Sequence, residues 1–273
     1  MRKLIDCHVH TARCGHARGT VDECVRAGVA AGLYGMAITE HLSLPDEFDP
    51  QRNLSMPAGD LEDYFVEVDF ARQRYPEIEL VTGLEADFLH GRTAEIREAV
   101  EAARSHSDDA TLVLGSVHFI DHWAFDDPNS VAEWQAHDVD QAWRDYFTLW
   151  NESAATGIFD VMSHPDLVKK FGHFPSFDPA SLYADAARTA AGSGVLIEVS
   201  TAGVRKPVGE LYPGPQLLAA FEASGVRATV GSDAHAPSEV GYEIDAAYDA
   251  LLVAGYQSVS FPDGSGAWKE LSL

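Results

Sequence analysis

Histidine and carboxylate residues stand at or just beyond the ends of most apolar runs in this chain. These side chains are the usual protein ligands of divalent transition metals. In a barrel of parallel strands, residues just past the strand ends converge on one open face, where such barrels carry out chemistry. The pattern therefore predicts a polynuclear metal site and a metallohydrolase. The candidate ligands are His8, His10, His16, His41, Glu85, His118, His164, Asp233 and His235.

Local spacing strengthens several of these candidates. His8 and His10 are separated by one residue, so on a strand both imidazoles share a face, about 7 Å apart at Cα. Glu85 lies in an apolar run, where a carboxylate must find a partner or a metal, and it is the candidate bridge between two ions. Glu40 and His41 are neighbours and face apart, so only one of them is expected at the metal.

The elements that must position these residues alternate between strands and helices. Such alternation predicts a parallel sheet or barrel. Strands are predicted near 3–9, 34–39, 79–85, 111–118, 158–163, 195–200, 227–232 and 257–261. Helices are predicted over 20–31, 60–75, 92–105, 138–156, 179–192, 214–224 and 239–254. The first of these helices opens on a capping box between Thr20 and Glu23.

Two long connections and three cysteines complete the pattern. The loops 42–58 and 119–138 follow predicted strand ends, which is typical of lids or binding loops. Cys7, Cys14 and Cys24 form no paired framework and favour a reducing compartment. Cys7 is expected to face the helices, as a small apolar residue opposite His8, and a structural role is also favoured for Cys14.

Composition narrows the function. The 273 residues fit one α/β barrel, so a single domain over 1–273 is expected. A formal charge of −24 disfavours nucleic acid and membrane surfaces, which need clustered Lys and Arg. A small anionic substrate remains compatible, because bound cations dominate the local field. With no secretory signal or membrane-spanning run in the sequence, a cytoplasmic location is expected.

Short motifs in a fixed order carry a resemblance to a known family. The chain resembles the polymerase-and-histidinol-phosphatase (PHP) family of metal-dependent phosphoesterases. The matching motifs are Asp6-Cys7-His8-Val9-His10, Gly15-His16-Ala17, Thr39-Glu40-His41, Gly83-Leu84-Glu85, Gly115-Ser116-Val117-His118, Ser163-His164-Pro165 and Gly231-Ser232-Asp233-Ala234-His235. The resemblance implies an α/β fold, a distorted seven-stranded (β/α)7 TIM-like barrel with the metal site at the C-terminal ends of its strands.

The resemblance also implies how the ligands are shared among three divalent ions (Zn, Mn or Fe). One ion would be held by His8, His10, Glu85 and Asp233. A second would be held by Glu85, His118 and His164, with Glu85 bridging. The third would be held by His16, His41 and His235.

Within the family, the stretches 115–126 and 198–213 resemble the histidinol-phosphate phosphatase branch. The implied reaction is hydrolysis of L-histidinol phosphate by a water activated between two ions. Arg205 would hold the phosphate, with His41 and Ser116 as further substrate contacts. Asp233, His235 and metal-bound water are the candidates for protonating the leaving group.

Two alternatives to this function remain open from the sequence. One is a family member acting on another phosphate monoester: a nucleotide, a sugar phosphate or phosphotyrosine. Another is a metal-binding module without turnover, although no ligand position is missing. Asp126, in the loop 119–138, is a candidate contact for the ammonium group of the substrate.

Overall fold

Seven parallel strands form the centre of the molecule in a computed structural model, which describes residues 2–107 and 109–273. In the sheet they lie side by side in the order in which they occur along the chain. The strands are β1 (Ile5–Asp6), β2 (Gly35–His41), β3 (Glu79–Asp87), β4 (Leu112–Ser116), β7 (Val161–Met162), β8 (Leu196–Ser200) and β9 (Ala228–Gly231). A hairpin of β5 (Phe119–Ile120) and β6 (Trp123–Ala124) follows β4.

The barrel closes between its first and last strands. The Cys7 amide donates to the Val230 carbonyl over 2.8 Å, and the His10 amide donates to the Ala234 carbonyl over 2.8 Å. Val9 and Ala234 form a parallel bridge. Because β1 and β7 are each only two residues long, the barrel is distorted. The predicted (β/α)7 barrel is confirmed.

Helices connect successive strands and cover the outside of the barrel. They are α1 (Val21–Ala30), α2 (Leu61–Arg74), α3 (Thr93–Arg104), α4 (Val139–Ala155), α5 (Ala180–Ser193), α6 (Pro215–Ala223) and α7 (Ile244–Ala254). The capping box of Thr20 and Glu23 is present, and it satisfies backbone donors that a helix start leaves unpaired. In the described residues no helix is long and apolar enough to span a membrane.

The predicted strand at 257–261 exists but lies outside the barrel. It is β10 (Ser258–Pro262), and it pairs antiparallel with β11 (Trp268–Ser272), which the sequence did not predict. The barrel has already closed between β9 and β1, so no strand edge remains for β10. The Phe261 ring instead packs at the start of β2, where a Cβ on Gly35 would lie 2.5 Å from that ring.

The cysteines are buried among apolar side chains. Cys7 is 1% exposed and lies in the larger hydrophobic cluster with Ile5. Burial raises the pKa of its thiol. Cys14 is fully buried, and its Sγ lies 3.3 Å from the Thr11 carbonyl oxygen and 3.9 Å from His16 Nε2. This burial fits the structural roles expected for Cys7 and Cys14.

Candidate metal centre

The barrel brings the predicted ligands together at the carboxyl ends of its strands. β2 ends on His41, and Glu85 lies near the end of β3. The remaining candidates follow a strand by a few residues, apart from His16, which lies in the loop before α1. Three groups of side chains place metal-ligating atoms within 4.8 Å of one another.

The first group consists of His8, His10 and Asp233. Asp233 Oδ1 lies 3.7 Å from His8 Nε2 and 3.4 Å from His10 Nε2. Glu85 Oε2 faces the same two nitrogens at 3.2 and 3.3 Å. Two imidazoles and two carboxylates therefore converge on one point.

The second group consists of Glu85, His118 and His164. It uses the other oxygen of the glutamate, because Oε1 lies 3.1 Å from His164 Nε2 and 3.8 Å from His118 Nε2. Glu85 thus faces one group with each oxygen, which is the geometry of a bridging ligand. Its side chain is 1% exposed.

The third group consists of His10, His41 and His235. His16 borders it, with its Nε2 atom 3.1 Å from His235 Nε2. Two imidazoles on one Zn²⁺ ion, with Zn–N bonds of about 2.0–2.1 Å in a tetrahedron, have nitrogens about 3.3 Å apart. His16 and His235 are therefore already at the spacing of co-ligands.

Several buried ring nitrogens of the site have no hydrogen-bond partner in the described residues. Leaving buried polar atoms in this state is costly unless another species satisfies them. Two of them, His8 Nε2 and His10 Nε2, lie 3.2 and 3.3 Å from Glu85 Oε2, as expected around a shared cation. The atoms are His8 Nε2, both ring nitrogens of His10, His41 Nε2 and His164 Nδ1. The residues present fit divalent metal ions, and these groups form a divalent-metal site.

Two further carboxylates hydrogen-bond to ligand rings through Nδ1, and a third lies near another ring. Sequence reasoning gave Glu198 and Asp87 no role and left Glu40 as the alternative to His41 at the metal. Glu198 Oε1 lies 2.8 Å from His8 Nδ1, and Asp87 Oδ1 lies 2.8 Å from His118 Nδ1. Glu40 Oε1 faces His10 Nδ1 from 3.6 Å, which is beyond hydrogen-bond distance. The two hydrogen-bonded carboxylates are of a kind common at metal sites. Such partners fix the orientation and tautomer of metal-binding imidazoles.

Glu198 also ties two ligand groups together. Its second oxygen, Oε2, accepts a hydrogen bond from the His164 amide over 2.8 Å. Gly231 leaves the space for this carboxylate, because a Cβ there would lie 2.0 Å from Glu198 Oε1 and 2.5 Å from His8 Cβ. His164 and Asp233 themselves have positive φ angles of 25° and 50°, which are uncommon for residues other than glycine.

The electrostatics of the site keep its carboxylates in the ligand form. Burial raises the pKa of Glu85, but the imidazoles of His8 and His41 outweigh it and hold that pKa well below its ordinary value. Asp233 behaves in the same way, with burial opposed by His8 and His235. Ionised oxygens are the form that binds metal.

The remaining predicted site residues lie around the ligands. Arg205 Nη2 donates to the carbonyls of Ser232 and Asp233 over 2.9 and 3.0 Å, while Nη1 is buried with no partner. Ser116 is fully buried, and its hydroxyl donates to Glu85 Oε1. His41 Nδ1 lies 3.2 Å from Glu85 Oε2.

Comparison with known proteins identifies the family. A PHP domain model matches residues 6–202. The chain belongs to the PHP family. Among PHP relatives, a probable histidinol-phosphatase from Deinococcus radiodurans is 39% identical over 96% of this chain and 97% of its own length. A histidinol-phosphatase from Bacillus subtilis is 26% identical over 90% of this chain and 97% of its own length.

A solved structure confirms the PHP barrel. The histidinol phosphate phosphatase of Lactococcus lactis, crystallised with Zn, L-histidinol and phosphate, superposes with a TM-score of 0.81 at 21% identity. The superposition covers 98% of this chain and 99% of the Lactococcus chain. At this level of identity the likeness supports the fold.

Proposed function

We infer that this protein is a histidinol-phosphatase, which hydrolyses L-histidinol phosphate to L-histidinol and phosphate. The observation that carries a hydrolytic metal centre is Glu85, whose two oxygens face two different ligand groups. The choice of substrate rests on the near full-length likeness to the Deinococcus and Bacillus histidinol-phosphatases. The chain is strongly acidic, and by itself this charge would repel a phosphorylated substrate. Bound cations would reverse the local field at the site, so the two are compatible.

The proposed centre holds three divalent ions. The ligand sets are His8, His10, Glu85 and Asp233 for one, Glu85, His118 and His164 for the second, and His16, His41 and His235 for the third. His10 lies within reach of both the first and the third position. Zinc is supported by the Zn present in the Lactococcus relative, while imidazole and carboxylate sets also accept Mn and Fe.

When bound, divalent ions lower the pKa of water and neutralise phosphoryl oxygens. Arg205 anchors the phosphate, because two backbone carbonyls fix its guanidinium and leave Nη1 free to donate to an oxygen of the ester. Ser116 is fully buried and donates to Glu85, so it holds the bridging carboxylate in place. His41 faces Glu85 from the opposite side and borders the phosphate position.

Proton transfer to the leaving alkoxide falls to residues at the open side of the site. Asp233 and His235 are partly exposed, with 15% and 27% of their side-chain surface accessible. His235 Nδ1 lies 3.1 Å from the Asp233 carbonyl oxygen and 3.3 Å from its Oδ1 atom. Because Asp233 is ionised, it can accept the proton that the attacking water loses and pass it to the leaving alkoxide, while the Nδ1 hydrogen of His235 holds the Asp233 backbone in place.

An ion pair beside the centre suits a substrate that has both an ammonium and a phosphate group. Asp126 Oδ2 accepts from Lys170 Nζ over 2.8 Å, and both side chains are mostly buried. Burial raises the pKa of Asp126, but Lys170, His118 and His164 outweigh it and lower that pKa. Asp126 would accept from the substrate ammonium while Lys170 turns to the phosphate.

The decisive test is phosphate release from L-histidinol phosphate by protein loaded with Mn or Zn. A nucleotide, a sugar phosphate and O-phosphotyrosine at equal concentration serve as competitors, and the Glu85→Ala variant is the background control. We expect kcat/KM for histidinol phosphate to exceed the others by at least about 100-fold, or ~2.7 kcal/mol. Equal turnover of all esters would reject the substrate. If the fully metallated protein turned over none of these esters, the proposed phosphatase activity would be rejected.

A further inference from the structure

The loop after β2 contains a buried carboxylate that none of the ligand groups uses. Asp49 is 3% exposed. Its Oδ1 atom accepts from the Asn53 amide over 2.8 Å, and its Oδ2 atom accepts from the amides of Leu54 and Ser55 over 3.1 Å each. Oδ2 also accepts from the Ser55 hydroxyl over 3.0 Å. One side chain thereby fixes three successive residues of the loop.

The same loop contacts His16. The Asn53 carbonyl oxygen lies 3.1 Å from His16 Nδ1 and accepts its hydrogen. This contact places the hydrogen on Nδ1, so the lone pair of Nε2 faces His235. The loop and the His16 segment pack directly, since a Cβ on Gly15 would lie 2.9 Å from Asn53 Cα.

His16 is positioned differently from the ligands on the strands. His8 and His118 are held by carboxylates that belong to β8 and β3 themselves. His16 is exposed, and its Nδ1 atom faces the Asn53 carbonyl of the loop at 3.1 Å and, farther away, the Cys14 carbonyl at 3.4 Å. The position of the Asn53 carbonyl depends on the hydrogen bond that the backbone N–H of Asn53 donates to Asp49.

We propose that Asp49 is a positioning residue for the third metal ion, acting through the Asn53 carbonyl and His16. The inference rests on the proposed three-ion centre. It predicts that metal affinity at the third position can be lowered without changing the affinity of the other two positions. In the contacts described above, no other ligand ring is oriented by the Asp49 loop.

The test compares metal binding by Asp49→Ala, His16→Ala and the double variant. Metal-free protein is titrated with Zn²⁺ against a chromophoric chelator, and bound metal per chain is counted after gel filtration. We expect Asp49→Ala to weaken one of three binding steps by about 10–100-fold, the effect of losing an outer partner. The double variant should match His16→Ala, because one residue acts through the other. Asp46→Ala is the matched control, an exposed aspartate of the same loop paired with Arg52.

Each result decides something. Loss of all three ions together, or losses that add in the double variant, would assign Asp49 a merely structural role. Three ions of unchanged affinity in His16→Ala would overturn the proposed ligand set and this inference with it. One ion lost in His16→Ala but none weakened in Asp49→Ala would overturn the inference alone. Should Asp49→Ala fail to fold, Asp49→Asn takes its place, because asparagine keeps the volume but has only one acceptor oxygen. The same metal titration is then the readout.

Discussion

Replacing Glu198 by glutamine tests whether the outer carboxylates control the metal centre. Glu198 is 1% exposed and accepts from His8 Nδ1 with one oxygen and from the His164 amide with the other, each over 2.8 Å. Glutamine has the same size but only one acceptor. If its amide nitrogen faces His8, the imidazole must shift its hydrogen to Nε2, the atom directed at Glu85. If it faces His164, two N–H donors meet.

Both orientations of the amide lead to an effect of similar size. Loss of an outer partner typically lowers metal affinity by about 10–100-fold, or ~1.4–2.7 kcal/mol. A buried donor left unsatisfied costs about 1–3 kcal/mol. Since His8 and His164 belong to different ligand groups, we expect Glu198→Gln to weaken two of the metal positions together.

The assay is chelator competition with metal-free protein at fixed pH, followed by phosphate release from L-histidinol phosphate at saturating metal. Activity should return in part when metal is raised, because the ligands themselves are unchanged. Glu95→Gln is the control, an exposed glutamate at the start of α3. Wild-type metal affinity in a folded Glu198→Gln protein would refute the reasoning.

Three further outcomes are expected. Glu85→Ala removes the bridge and should abolish turnover and reduce bound metal; a fully metallated, active variant would contradict the bridging geometry. Cys7→Ser should keep most of the activity, since the thiol lies in the core, and loss of metal would instead make it a ligand. Removal of metal by a chelator should abolish activity and lower Tm. The expected loss in the free energy of unfolding is about 2.7 kcal/mol for a ligand at 100 times its Kd. Readdition of Zn²⁺ or Mn²⁺ should restore both, and a Tm indifferent to metal would argue against the proposed centre.

The sequence predicted the barrel strands and the helices because their signals are local. The run from Leu80 to Leu84 is buried on both faces, as strands of a parallel barrel are, and it reads as one continuous apolar stretch. Thr20 and Glu23 mark a helix start by a contact three residues apart. The structure begins and ends these elements within a few residues of the predicted bounds.

Features that depend on distant contacts were missed. A short run with alternating apolar residues, such as 257–261, has the same appearance whether it joins the barrel or a separate ribbon. The outcome is set by closure between Val9 and Ala234, which are far apart in the sequence. The hairpin of β5 and β6 is a local feature and was missed for another reason: each strand has only two residues, too few for an alternating pattern to be visible.

The division of labour among buried carboxylates is the part that no local pattern could supply. The argument that selected Glu85, a carboxylate inside an apolar strand, applies equally to Glu198 in β8 and to Asp87 two residues further along β3. All three are polar groups that must be satisfied. Glu85 faces several rings with its two oxygens, among them His8 at Nε2 and His41 at Nδ1, so it can bind the same cations as they do. Glu198 and Asp87 each meet the Nδ1 atom of one ring whose Nε2 atom faces Glu85, so they orient that ring. The contact between His8 and Glu198 joins residues 190 positions apart in the sequence, so only the closed barrel brings them together. Composition and spacing can therefore identify the buried carboxylates that need a polar partner. The geometry of the closed barrel then distinguishes metal ligands from the residues that orient them.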